Sequence, residues 1–134
     1  MSGYQTLEVK TTCDVEFIDI TRQVRDFVRA SKCDSGLLLV FTPHTTAGVT
    51  INENADPAVP HDIGEFFKRR VPAQDYFRHG EGNSPAHILS SLVGASETLV
   101  VNNGEPLLGS WQGIFFCEFD GPRQRRVFLK IIPG

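Results

Sequence analysis

Apolar and polar residues alternate from the start of the chain. Leu7 and Val9 stand among polar neighbours, and Val15 and Phe17, with Asp19 in phase, resume the pattern after the break Thr11-Thr12-Cys13-Asp14. A period of two marks half-buried strands, so the opening predicts a hairpin. The period then changes. Ile20, Val24, Phe27 and Val28 fall at helical spacing, with Asp19 or Thr21 available as the cap, which predicts a helix ending near Ser31. After the turn Asp34-Ser35-Gly36, the unbroken run Leu37 to Phe41 predicts a central strand buried on both faces.

Pro43-His44-Thr45-Thr46 interrupts that strand, because proline has no N–H for a central ladder. Ala47 to Glu53 alternates again, with Ala47, Val49 and Ile51 on one face. Asp56-Pro57 predicts a helix start, with Val59, Ile63, Phe66 and Phe67 as its buried stripe. Residues 72–83 are polar and glycine-rich and form the longest loop. Ser84-Pro85 repeats the cap-then-proline signal and opens a helix carrying Ile88, Leu89 and Leu92. Glu97 to Val101 is a strand, and Asn102-Asn103-Gly104-Glu105 a tight turn. Leu107 to Phe119 predicts one long strand bent at Gly109, and Val127, Leu129 and Ile131 alternate in a last one. Hairpins dominate and no regular βαβ alternation occurs. The fold class is therefore α+β: a single domain of largely antiparallel sheet or sandwich, with about three helices packed outside.

Composition narrows the function. The 134 residues carry a net charge of -3, which disfavours a nucleic-acid partner held by phosphate neutralisation. No stretch is long enough to cross a bilayer and the N-terminus has no apolar signal segment, so the expected location is cytoplasmic. Three widely spaced cysteines, Cys13, Cys33 and Cys117, without a C-x-x-C pair fit a reducing compartment. Nucleotide-binding glycine loops and a G-x-S-x-G elbow are absent from the sequence.

The candidate chemistry lies in three histidines at loops or element ends: His44 after Pro43, His79 in Arg78-His79-Gly80-Glu81-Gly82-Asn83, and His87 in the first turn after Ser84. Imidazole ligates zinc and related metals, and three ligands with an open position make a catalytic site. Each histidine also reads, alone, as an ordinary surface or capping residue. His61, near Glu65, is assigned to the surface. Asn52-Glu53-Asn54-Ala55-Asp56 is denser in polar groups than capping requires, so some of it can hold a ligand or orient a histidine. Trp111, between Ser110 and Gln112 and flanked by Gly109 and Gly113, is either a core residue or a flat face for a heteroaromatic ligand. Cys117 reads as a small buried hydrophobe, and Glu118 in the same apolar run needs Arg123 or Arg125 as partner.

Three long segments, in order, carry a resemblance. They are Pro43 through Pro57, His79-Gly80-Glu81-Gly82-Asn83-Ser84 with Ala86-His87, and Gly109-Ser110-Trp111-Gln112 continuing through Phe116 to Arg123. Together they resemble the YjbQ-like family, small proteins associated with a secondary thiamine-phosphate synthase activity. The chain has Ser110 where the family commonly has threonine, and Pro85 where it commonly has aspartate. The resemblance implies a compact α+β fold, a homotrimer, and a site where the histidine motifs converge. The implied reaction joins hydroxymethylpyrimidine pyrophosphate to thiazole phosphate, with pyrophosphate leaving. On this reading His44, Glu53, Glu81, Trp111 and Arg123 are the catalytic candidates. Thr45, Thr46, Asn52, Asn83 and Ser84 bind the phosphorylated heterocycle or a cofactor. His44, His79 and His87 hold a divalent metal, with zinc or similar favoured and magnesium the alternative. The alternatives are a trimeric module that binds a metal or metabolite without catalysis, and a metal-dependent hydrolase.

Overall fold

A computed structural model describes residues 3–134. Eight strands and three helices follow one another as β1 (Gln5–Lys10), β2 (Glu16–Asp19), α1 (Thr21–Ser31), β3 (Ser35–Phe41), β4 (Ala47–Glu53), α2 (Ala58–Arg70), α3 (Ser84–Val93), β5 (Ser96–Asn102), β6 (Glu105–Pro106), β7 (Gln112–Glu118) and β8 (Gln124–Pro133). They make two antiparallel sheets, one ordered β1-β8-β3-β5-β6 and the other β2-β7-β4. The expected α+β sandwich is present. Among the described residues no helix is long and apolar enough to cross a membrane.

The main core lies between the sheets, where Leu38, Val40, Val49, Phe116, Val127 and Leu129 meet Val24 and Val28 of α1. A second cluster lies on the far side of the small sheet. There Phe115, Cys117 and Phe119 pack under Ala86 and Leu89 of α3, with Phe67 of α2 against them. Cys117 is wholly buried among these side chains, as its hydrophobe reading requires, and burial pushes its thiol pKa well up.

Four expectations need correction. The opening is not a hairpin: β1 pairs with β8 in the large sheet, and β2 with β7 in the small one. Thr11 marks the crossing, its N–H bonded to the Arg123 carbonyl and its hydroxyl to Glu118, 2.7 Å away. Leu107 to Phe119 is likewise not one long strand: 107–111 lies outside any strand, β7 begins only at Gln112, and the preceding β6 belongs to the other sheet. In β3, Leu38 and Val40 are fully buried, but Leu37 and Phe41 on the opposite face are 47% and 36% exposed. The run is apolar on both faces, yet the subunit covers only one. The α2 stripe is also looser than predicted, with Phe66 exposed and Val59, Ile63 and Phe67 only half-buried.

Caps fall one residue from their expected places. Ile20 precedes α1, while Asp19 accepts the Thr21 N–H at 2.9 Å; Asp56 does the same for Ala58 beyond Pro57. Asn83, not Ser84, occupies the cap position of α3. The turn at Asn103-Gly104 has φ of 52° and 73°, the left-handed pair that a tight hairpin between β5 and β6 requires.

Candidate functional site

The residues after β3 are held by side chains where the ladder stops. Main-chain pairing of β3 with β8 ends at Phe41 opposite Phe128. Beyond it, Thr42 donates its hydroxyl to the Arg126 carbonyl at 3.1 Å, and the Arg126 N–H donates to His44 Nε2 at 2.9 Å. The two side chains thus satisfy the peptide groups of Arg126 that Pro43 cannot reach. This contact also fixes the imidazole. A backbone N–H can only donate, so Nε2 is the bare nitrogen and the neutral ring carries its proton on Nδ1. Burial, and then the charges of Arg125 and Arg126, hold the His44 pKa below its ordinary value.

Beneath His44 lies a buried ion pair. Glu118, at the end of β7, receives Arg125 Nε at 2.8 Å and a second, shorter bond from Arg125 Nη2. It also accepts the Thr11 hydroxyl and the Asp120 N–H. Burial alone would raise the Glu118 carboxyl, but these donors outweigh it and keep the pKa below the usual carboxylate range. Arg125, itself 4% exposed, also donates from Nη2 to Thr46, with Oγ1 at 2.9 Å. Arg125 is therefore the partner that the sequence left open between two arginines. Thr46 reads as structural, while Thr45 is exposed at the rim.

A cleft of about 420 Å³ opens above this pair, walled by His44, His79, Glu81, Asn83, His87 and Arg123, among others. The three histidine motifs, far apart in sequence, converge here. The rings of His79 and His87 meet edge to face at 5.3 Å between centroids. Arg123 donates to Asp120 Oδ2 at 2.9 Å, and Asn83 Nδ2 donates to the same carboxylate oxygen at 2.8 Å. Asp120 was not among the sequence candidates; the only hint of it was its place in the Phe119-Asp120-Gly121-Pro122-Arg123 turn. The amide oxygen of Asn83 is buried with no hydrogen-bond partner among the described residues. At the start of α3, Ala86 and His87 both donate to the Asn83 carbonyl and Pro85 has no N–H, which leaves the Ser84 amide for an anion.

The ligand set His44, His79 and His87 fits this geometry poorly at His44. The Nε2 lone pair of His44 is taken by Arg126, and its other nitrogen bears the proton. Among the described residues no three His, Cys, Asp or Glu side chains converge on one ion position. His79, His87 and the unpartnered Asn83 oxygen retain ligand capacity here, as do the carboxylates of Glu81 and Asp120.

Asn52, Glu53 and Trp111 are not in this cleft. They sit at the opposite end of β4 and β7, where Glu53 pairs with Gln112 and the Asn54 N–H bonds the Trp111 carbonyl. Six steps of strand at about 3.3 Å each set them roughly 20 Å from Thr46. Asn52 Oδ1 caps the Glu53 N–H, a local turn role. Trp111 is 65% exposed, so it is not a core residue. His61 is exposed beside Asp62 on α2, as assigned.

A family model described as "UPF0047 protein YjbQ-like" matches residues 5–134. UPF0047 protein YugU of Bacillus subtilis is 51% identical, over 96% of this chain and 98% of its own. A UPF0047 protein of Methanocaldococcus jannaschii is 53% identical, over 93% of this chain and 91% of its own. A crystal structure of a YjbQ/UPF0047 family protein from Clostridium acetobutylicum superposes with TM-score 0.93 at 51% identity, covering 96% of this chain and 99% of that one. A YbjQ-like protein of unknown function from Sulfolobus solfataricus gives 0.93 at 30% identity, covering 98% and 96%. These descriptions name a family and not a reaction.

Proposed function

The chain belongs to the YjbQ-like UPF0047 family, and from that premise we propose that its histidine cleft binds a phosphorylated small molecule and stabilises charge on a departing phosphate group. The observation that carries this reading is the convergence of His44, with its Nδ1–H donor, on His79, His87, Asn83 and Arg123 in one cleft. A fixed N–H donor and a guanidinium are suited to a phosphate oxygen on which negative charge grows. Arg123 already engages Asp120, so a bound anion competes with that carboxylate and the net field is mild.

The specific reaction proposed is that of a thiamine-phosphate synthase. The thiazole nitrogen attacks the methylene carbon of hydroxymethylpyrimidine pyrophosphate, the carbon–oxygen bond breaks, and pyrophosphate leaves with the electron pair. The thiazole nitrogen needs no activating base, so the protein's tasks are positioning and charge stabilisation. Glu81, at the rim, can accept from a ring amine. The test is thiamine-phosphate formation by wild type against His44→Ala, His79→Ala and His87→Ala. Losses of about 10²-fold or more are expected for His44, the scale of removing one oriented donor. Product absent in wild type, or unchanged in all three variants, removes the synthase.

A second reading has its own observation. The paired rings of His79 and His87 beside the unpartnered Asn83 oxygen suit a divalent ion, in a binding module without turnover. Stoichiometric metal in purified protein, with thermal stabilisation by metal and no product, would favour it. A homotrimer completes the proposal. The outer face of the large sheet bears Leu37, Val100 and Ile132 uncovered, and an interface there would bury them.

A further inference from the structure

The cleft above the ion pair is one half of a larger depression. Beside it lies a second cleft of about 700 Å³, walled by Phe41, Thr42, Ser90, Ser91, Gly94 and Ala95, and both clefts share His44 and His87. The two halves differ in chemistry. The first presents Arg123, Asp120, Glu81 and Asn83. Apart from the shared histidines, the second has no ionisable side chain.

Three of its four hydroxyls are spent, all but that of Thr45, which it shares with the first cleft. Ser90 Oγ donates to the Ala47 carbonyl at 2.7 Å, Ser91 Oγ to the His87 carbonyl at 2.9 Å, and Thr42 Oγ1 to the Arg126 carbonyl. Away from Thr45, at the boundary with the first cleft, what remains for a ligand is carbon: the Phe41 ring, the Ala95 methyl and the Gly94 backbone, which has no side chain to fill the floor. Hydroxyls already satisfied gain little from a polar ligand, whereas apolar walls gain from covering a flat apolar one. A volume of this size matches the body of a small organic molecule rather than a bare ion.

We propose that the second cleft is the subsite for the uncharged, ring-bearing body of a phosphate ester whose phosphate occupies the first. The ester linkage then lies across His44 and His87, the two histidines common to both halves. The inference rests on reading the first cleft as an anion site. It adds that affinity for the organic body, not for phosphate, sets which ester is accepted. Ser91 stands on α3 one turn beyond His87, its side chain at the surface of the second cleft and outside the first.

The experiment is calorimetric titration of the full chain with inorganic phosphate and with phenyl phosphate. Wild type should bind phenyl phosphate at least about tenfold more tightly. Ser91→Trp, which fills the second cleft, should erase that preference while leaving inorganic phosphate affinity within about twofold. Ala95→Leu, a smaller plug from a different element, should act in the same direction. If wild type binds both probes equally, or if both variants keep the preference, the subsite is disproved. Equal weakening of both probes by both variants also overturns it, because the clefts would not be separable. Failure of wild type to bind either probe would instead remove the anion reading beneath it.

Discussion

His44 shows how one backbone amide decides what an imidazole can do. Because the Arg126 N–H holds Nε2, the ring is a donor through Nδ1 and its protonation is disfavoured by burial and by Arg125 and Arg126. Nitrogen-15 NMR should find the Nδ1–H tautomer and a titration midpoint below about 6.5, the ordinary histidine value; a midpoint at or above it contradicts the arrangement. With the folded pKa below the unfolded one, the unfolded chain binds more protons as pH falls below about 6.5. This group therefore subtracts stability on the acid side and is silent above it. Glu118 acts in the same direction at lower pH. Its depressed folded pKa gives stability that is full above about 4.3 and is lost as pH falls through the folded value. Arg125→Met strands a fully buried carboxylate and should cost about 3–5 kcal/mol in urea unfolding, whereas Glu118→Leu with Arg125→Met should recover most of it. A double variant as unstable as the single one would show that the pair does more than neutralise itself.

At the level of elements, the loop between β7 and β8 sets the position of Asp120 and Arg123. A Cβ on Gly121 would lie 2.1 Å from the Cys13 carbonyl oxygen, so the neighbouring chain leaves room for hydrogen alone. Gly121→Ala should cost about 1–3 kcal/mol, the range for overpacking, and should weaken phosphate binding along with stability. Unchanged melting would mean that the Cys13 segment yields freely. Most elements were legible from periodicity, because strands such as β1, β5 and β8 and the helix α1 bury one face and their pattern says so, whereas β7 is buried on both faces and α2 only partly on one. Sheet membership was not. Nothing local in Val9 or Phe17 states that a chain crosses between sheets at Thr11, since that depends on bonds to Glu118 and Arg123 more than 100 residues away. The site was legible to the same extent. The histidine motifs announced themselves by composition, but Asp120 and the fixed tautomer of His44 are products of tertiary contact. So is the separation of Glu53 and Trp111 from the cleft, because adjacency in a motif does not survive seven residues of strand.

For the whole molecule, the uncovered face of the large sheet is the main unbalanced feature. Leu37, Val100 and Ile132 are adjacent across β5, β3 and β8 and are each about half exposed. A patch of this kind is what the proposed subunit interface would cover. Light scattering should find a trimer at micromolar concentration, and Val100→Asp with Ile132→Asp should give a folded monomer. A wild-type monomer would end the assembly proposal. Trp111 and Glu53, remote from the cleft in their own subunit, could complete a site only across such a contact, so the double variant should be assayed for activity as well as mass.

The loop at 119–123 is at the surface and carries two walls of the cleft, yet its amides are all engaged within the protein. Phe119 donates to the Thr46 carbonyl, Asp120 to Glu118, Gly121 to the Asp14 carbonyl, and Arg123 to the Thr11 hydroxyl, while Pro122 has no amide to lose. The acceptors come from three segments, the connection between β1 and β2, the loop before β4 and the end of β7, so freeing these amides together requires several parts of the chain to move at once. Deuterium should therefore enter these positions as slowly as it enters the core strands, and far more slowly than at exposed positions of 72–82. A ligand arriving here meets a mould already set, and its affinity is spared the entropic cost of ordering this part of its own site.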